Sequence, residues 1–182
     1  MTSFKYYVGA SIDGFIADST GDVSWLEAFN HEAGVRQSYE EFFAGVGALV
    51  FGGETYLWLV KKLASDGEPW PYGDKPVWVF THHELPSTEG ADLTFVRGDV
   101  ALWARDIAQS AGTKDVWIVG GAQLAGKFLE SAVLDELHLV TVPVVLGDGI
   151  NLFTSGNRSR FEFINRIDRD GQVSEVRYRL AR

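Results

Sequence analysis

Two glycine pairs and a hydroxyl stand where three apolar runs end. Val116-Trp117-Ile118-Val119 runs into Gly120-Gly121, and a helical pattern follows at once, with Leu124 four residues before Phe128 and Ala125 four before Leu129. Leu49-Val50-Phe51 runs into Gly52-Gly53-Glu54-Thr55, and Val77-Trp78-Val79-Phe80 runs into Thr81-His82-His83. Glycine at a strand-to-helix turn lets backbone approach a ligand closely. The first N–H groups of the helix behind it lack internal partners and sit at the positive end of the helix dipole. Together they can seat a phosphate. The plainer reading of either pair is a tight turn. Three such ends on one rim suit an extended, phosphate-bearing ligand, because open α/β sheets bind ligands at the carboxyl ends of their strands.

Other phosphate and nucleophile signatures are absent. No G-x-G-x-x-G follows a strand, and there is no Walker A loop. No G-x-S-x-G elbow exists for a serine nucleophile. His82 and His83 are adjacent, which is not a metal-ligand spacing, and there is no cysteine to supply a thiolate. Candidates for proton transfer are Asp22 and Glu27, with Asp13 nearby; the plainer reading of each is a cap or a solvated acid, and of Asp13 a turn holder. Trp25 follows a polar loop and reads either as a lid over a substrate pocket or as core, with Leu26 beside it. Gly9-Ala10 closes the first apolar run and would either admit a flat ring or let a helix pack close. His138 lies in an apolar strand and reads as structural.

The elements that must carry these residues alternate. Strands are expected at 6–10, 47–53, 76–81, 93–96, 116–119 and 134–142. Helices are expected at 35–44, 55–63, 99–111 and 121–131, the third with Leu102, Ile107 and Ala108 inward and Asp22 capping a short segment before the first. Unalternating apolar strands indicate a sheet covered on both faces. Residues 161–167 and 173–180 alternate apolar and polar around Asp168-Arg169-Asp170-Gly171, which predicts an antiparallel hairpin. The fold class is therefore α/β, with a mostly parallel central sheet and antiparallel C-terminal strands. With 182 residues and no linker or repeat, one domain over 1–182 is expected.

Composition bounds the partners. Net charge is −9, with 46% apolar and 23% charged residues. That acidity argues against generic nucleic-acid binding. Seven arginines against four acids in 158–182 read as a charged outer sheet face. No apolar run approaches the roughly 20 residues of a membrane span, and the N-terminus has no signal pattern. A cytoplasmic protein with a small-molecule substrate, and without nucleic-acid or membrane partners, is expected.

Four motifs in order resemble one family. Ser11-Ile12-Asp13-Gly14-Phe15-Ile16-Ala17, Phe51-Gly52-Gly53-Glu54-Thr55-Tyr56, Val119-Gly120-Gly121 and Pro143-Val144-Val145-Leu146-Gly147-Asp148-Gly149 look like the dihydrofolate reductase superfamily. They look specifically like its branch with the RibD C-terminal (pyrimidine reductase) domain and its stand-alone relatives. The resemblance implies a dihydrofolate-reductase-like three-layer α/β/α fold, a homodimer, and NADPH as hydride donor to a small planar heterocycle, pterin- or pyrimidine-like. A non-catalytic nucleotide- or small-molecule-binding module on the same fold is the alternative.

By position, the resemblance puts Gly9, Ala10 and Ile16 beside the nicotinamide. It puts one phosphate on Gly52, Gly53, Glu54 and Thr55, and the adenosine near Thr81 and His82. It puts the pyrophosphate on Gly120, Gly121, Ala122, Gln123 and Leu124, with a cis peptide between the two glycines. Two positions depart from the family pattern. The family often carries, at the position of Gly53, an arginine that binds the cofactor's 2′-phosphate, which leaves NADH possible. The riboflavin-pathway reductases tend to carry a lysine where this chain has Tyr6 and Tyr7.

Overall fold

The computed structural model describes residues 2–168 and 172–182. One eight-stranded sheet runs through it. Its strands are β1 (Phe4–Ala10), β3 (Val46–Gly52), β4 (Pro76–Phe80), β5 (Asp92–Val96), β6 (Asp115–Gly120), β7 (Glu136–Thr141), β9 (Phe161–Asp168) and β10 (Ser174–Leu180). Their order is β5-β4-β3-β6-β1-β7-β10-β9. Neighbours from β5 to β7 are parallel, and β10 is antiparallel to both β7 and β9. The short strands β2 (Phe15–Ala17) and β8 (Ile150–Asn151) pair separately. The hairpin is as expected at its strands; Arg169, Asp170 and Gly171 of its turn lie outside the described residues.

Helices cover both faces, which is the three-layer arrangement. The helices are α1 (Ser24–Glu27), α2 (Ala33–Ala44), α3 (Gly53–Asp66), α4 (Val100–Ser110) and α5 (Ala122–Glu130). Strand alternation splits the core in two. Ala48 and Val50 of β3, with Val116 and Ile118 of β6, join Ile107 of α4 and Phe128 of α5 on one face. Leu49 and Phe51 of β3, with Trp117 of β6, join Phe42 of α2 and Tyr56 and Leu59 of α3 on the other. Each large apolar side chain removed from water this way contributes about 1.5–3 kcal/mol.

Local signals fix the helix ends. Asp99 caps α4 by accepting the Ala101 N–H at 2.9 Å. Gly67 ends α3 in the left-handed region at φ 69°. Leu102 faces solvent at 75% exposure rather than inward. The inward stripe of α4 runs Val100, Trp103, Ala104, Ile107 and Ala108, at helical spacing, and Leu102 falls off it. Among the described residues no helix is long and apolar enough to cross a membrane.

Candidate active site at the carboxyl rim of the sheet

The parallel strands β1, β6, β3, β4 and β5 end side by side, and a cleft of about 830 Å³ lies along those ends. Five neighbouring strands span four strand spacings, about 19 Å. The middle of the cleft is built on close backbone approach. A Cβ on Gly52 would stand 3.4 Å from Gly121 N and 3.5 Å from Gly120 O, and one on Gly121 would stand 3.1 Å from Thr55 Oγ1. The Gly120–Gly121 peptide is cis. The helices that begin here, α3 and α5, have no side-chain cap at their N-termini. Their first N–H groups are left for a ligand, and an anion is the natural one. The residues present therefore fit a phosphate-linked dinucleotide: backbone donors in the middle, between glycines that leave the backbone open, with the Thr55 hydroxyl beside them.

Twelve of the fourteen expected cofactor residues line the cleft. Gly9 and Ile16 line it at the β1 end; Gly52, Gly53, Glu54 and Thr55 line it between β3 and α3. Thr81 and His82 follow β4, and Gly121, Ala122, Gln123 and Leu124 open α5. Ala10 and Gly120 do not reach it. Ala10 is buried, because strand alternation turns it to the face opposite Gly9.

The structure does not bring the expected proton donors to the cleft. The Asp22 carboxylate is exposed and accepts the Ser24 hydroxyl. Its expected helix-capping role passes to Val23, whose side chain makes no capping bond. Glu27 pairs with Lys62 of α3 at 2.9 Å, and that carboxylate holds the Lys62 pKa above the ordinary lysine value. Trp25 turns its indole N–H back to Asp22 O at 3.1 Å. Leu26 and Val23 line the cleft in its place, and a Cβ on Gly9 would stand 2.7 Å from Leu26 Cδ2. Gly9 thus admits the Leu26 side chain.

Asp13 serves structure at a distance. Its carboxylate accepts the Ser11 hydroxyl at 2.7 Å and the N–H groups of Gly147 at 2.7 Å and Leu146 at 3.1 Å. The Ser11 hydroxyl, then those two amides, hold its pKa below the usual carboxylate range. Two of the four resembling motifs are thereby pinned to each other. Asp18 organises the loop before α1 in the same way, accepting the Thr20 hydroxyl at 2.8 Å and the Asp22 N–H at 2.9 Å.

Sequence reasoning missed several lining residues: Tyr7, Trp58, Trp117, Arg97, Gly98 and Lys127. Arg97 was findable, since it follows β5 as Thr81 follows β4. Lys127 is one helical turn beyond Gln123 on the same face. The aromatic residues come from strand and helix interiors, and only the tertiary packing brings them to the rim.

The sheet order, the rim cleft and the glycine turns define the dihydrofolate-reductase-like class. A dihydrofolate reductase from Enterococcus faecalis, complexed with NADP(H), superposes with TM-score 0.63 at 16% identity, over 98% of this chain and 96% of that one. The family model for the RibD C-terminal domain matches residues 61–170, and the chain belongs to that family. It is 34% identical over 147 residues to the uncharacterized protein YwjB of Bacillus subtilis (strain 168), covering 81% of this chain and 80% of that one. A putative riboflavin biosynthesis protein from Shewanella sp. PV-4 matches over the full length of both chains with TM-score 0.82 at 24% identity.

Proposed function

We propose that the chain is a nicotinamide-dinucleotide-dependent reductase of a small planar heterocycle. The observation that carries this is the cleft itself. Uncapped N-termini of α3 and α5 flank its middle, and it runs about 19 Å along five strand ends. A bound NAD(P)H would supply a hydride at the β1 end. The chain's part is to hold and orient. Gly52 to Thr55 and Gly121 to Leu124 hold the phosphates by backbone N–H groups, with the Thr55 hydroxyl beside them. Gly9 and Ile16 border the flat ring, and Ala10 and Gly120 act behind them by shaping the strand ends. Leu26 and Val23 exclude water from above.

The substrate end is apolar and aromatic, lined by Tyr7, Val8, Ile16, Leu26, Trp117 and Ile150. Tyr7 stacks on Phe42 at 4.4 Å between centroids, and the Trp117 indole donates to Tyr7 O at 3.2 Å. Such walls take a flat ring by stacking. Asp22 and Glu27 are engaged with Ser24 and Lys62, so this reading gives them no proton-transfer role. The proton that completes reduction of a C=N or C=O bond is taken from water at the cleft mouth. In this reading a single domain over residues 1–182 holds these parts. The expected homodimer would use edge strand β9, which exposes Phe163 at 65% and Ile164 beside it.

The test is direct. Trp58 and Trp117 line the cleft, so cofactor binding should quench tryptophan fluorescence. NAD(P)H oxidation should then follow on one of a panel of pterins, pyrimidines and related heterocycles. A protein that binds neither nicotinamide dinucleotide at millimolar concentration is not this reductase; tight binding without turnover on any heterocycle favours the binding-module alternative.

A further inference from the structure

The cleft is unequal in charge from one end to the other. Among the described residues, the basic side chains that line it are His82, His83, Arg97 and Lys127. The first three follow β4 and β5, and Lys127 lies on α5 one turn past Gln123. The β1 end is roofed by two loops, 11–30 and 143–153, which supply lining residues such as Ile16, Thr20, Leu26 and Ile150. Those loops hold Asp13, Asp18, Asp22, Glu27 and Asp148, and no lysine, arginine or histidine.

The acids are fixed close to that end. Asp18 directly follows Ala17, and Asp22 sits between Gly21 and Val23, all three of them lining residues. The Asp22 N–H donates to the Asp18 carboxylate at 2.9 Å, which holds both acids on one turn. The second loop is knit to the first. Asp13 accepts the Leu146 and Gly147 N–H groups, and Gly149 lies so close to Ala17 O that no Cβ would fit between them. Hydrogen bonds hold the Asp13 and Asp18 pKa values below the usual carboxylate range, the Ser11 and Thr20 hydroxyls contributing most. Among the described residues, only Glu27 of the five meets a basic side chain, that of Lys62. Lys62 also lies over the Trp58 ring, where Glu27 and Asp66 balance its charge. The side-chain donors Ser11, Thr20 and Ser24 each serve one of the aspartates.

A phosphate on the ring would therefore enter a fringe of carboxylates with no guanidinium or ammonium in the roof to receive it. Taking an anion out of water without a partner is costly, and like charges nearby add to the cost. An uncharged ring meets no such penalty, since Tyr7, Leu26, Trp117 and Ile150 form its walls. We propose that the substrate is a free heterocycle, uncharged or cationic, and that the β1 end rejects a phosphorylated one. This rests on the reading of the cleft as a reductase site with its ring pocket at β1. In that reading the cofactor's own phosphates sit on the turns after β3 and β6, away from these acids.

Two matched pairs test it: 7,8-dihydroneopterin with its 3′-monophosphate, and 5-amino-6-ribosylaminouracil with its 5′-phosphate. Each is titrated into the full chain by calorimetry with millimolar NADP+ or NAD+, whichever binds, so that a phosphorylated probe cannot lodge on the phosphate turns. At about 10 mM salt, where the Debye length is about 30 Å, the unphosphorylated member should bind at least about tenfold more tightly. The gap should narrow severalfold at about 1 M sodium chloride, where that length is about 3 Å. Asp22→Asn, whose amide oxygen still accepts the Ser24 hydroxyl, should narrow it as well while binding the unphosphorylated member as wild type does. Its melting curve checks that the fold is kept. Equal or tighter wild-type binding of the phosphorylated members overturns the proposal and leaves the reductase reading standing. A gap that neither salt nor Asp22→Asn changes also overturns it, because size rather than charge then does the sorting. Binding of none of the four probes by protein that does bind cofactor overturns the ring-pocket reading itself, and this inference with it.

Discussion

His138 is buried to 3% exposure, as is Glu175 on the neighbouring strand, and neither lines the cleft. Its Nε2 lies 3.0 Å from Glu136 Oε2. A carboxylate only accepts, so the ring carries its proton on Nε2. Among the described residues Nδ1 is buried without a hydrogen-bond partner, 3.9 Å from Glu175 Oε1, which Arg177 Nε holds at 2.6 Å. Lys5 approaches Glu136 from β1, and Tyr7 and Phe42 close the ring's other sides. Burial pushes the His138 pKa below 6.5, more than the Glu136 bond pulls it up. The sign follows. Between the folded value and 6.5 the unfolded chain binds more protons, so this contribution is whole above pH 6.5 and is lost as pH falls toward the folded value. Each unit of depression is worth about 1.4 kcal/mol. His138→Gln keeps a donor for Glu136 and removes the titration. Urea unfolding at pH 7.5 and 5.5 should show wild type losing more stability than the variant; equal losses would count against the buried neutral ring. The sequence made His138 legible as structural, since it sits in an apolar strand. It offered Asp13 as a turn holder, which its bond from Ser11 fits, but hid the amide partners, which lie more than 130 residues away.

Gly126 shows what one glycine does for an element. It lies inside α5, where glycine is disfavoured by about 1 kcal/mol against alanine. A Cβ there would collide with the Ser155 carbonyl carbon at 2.8 Å, and closer still with its two oxygens. The helix therefore lies directly on the loop after β8, and the backbone it meets cannot rotate away. Gly126→Ala should destabilise by about 1–3 kcal/mol, as overpacking does, despite the better helix propensity; a gain in melting temperature would refute the close approach. Elements were legible wherever periodicity was strong. Strands β3, β4 and β6 were readable from unbroken apolar runs, and α5 from its buried stripe. Leu102 misled because a large apolar residue in the first turn looks inward until the stripe is traced through Val100, Trp103 and Ile107. The lid was half legible. The residues after the polar loop do cover the cleft, but Leu26 does it, because the Trp25 indole is spent on Asp22 O.

The order of strands along the sheet was not written in any one segment. Alternation of strands and helices predicts parallel pairing, but only the assembled sheet puts β5 and β1 at opposite ends of one rim, with β4, β3 and β6 between. That order makes the cleft long and unequal. Arg97, His82 and His83 stand at one end and the aromatic walls at the other, in a molecule of net charge −9. An acidic surface does not draw an anion in from a distance, so recognition must be local. A ligand that touches both ends should couple them. At a hundredfold excess over its dissociation constant, NADPH should raise the free energy of unfolding by about 2.7 kcal/mol. Hydrogen exchange should slow at the N–H groups of Glu54, Thr55, Ala122 and Gln123, and also at Ile16 and Leu26. Adenosine 2′,5′-bisphosphate carries only the adenosine end. It should slow exchange after β3 and β4 and leave Ile16 and Leu26 as they were. If the whole cofactor protects no more of the rim than its adenosine half does, the cleft is not one continuous dinucleotide site, because the strand order then joins two ends that a single ligand does not span.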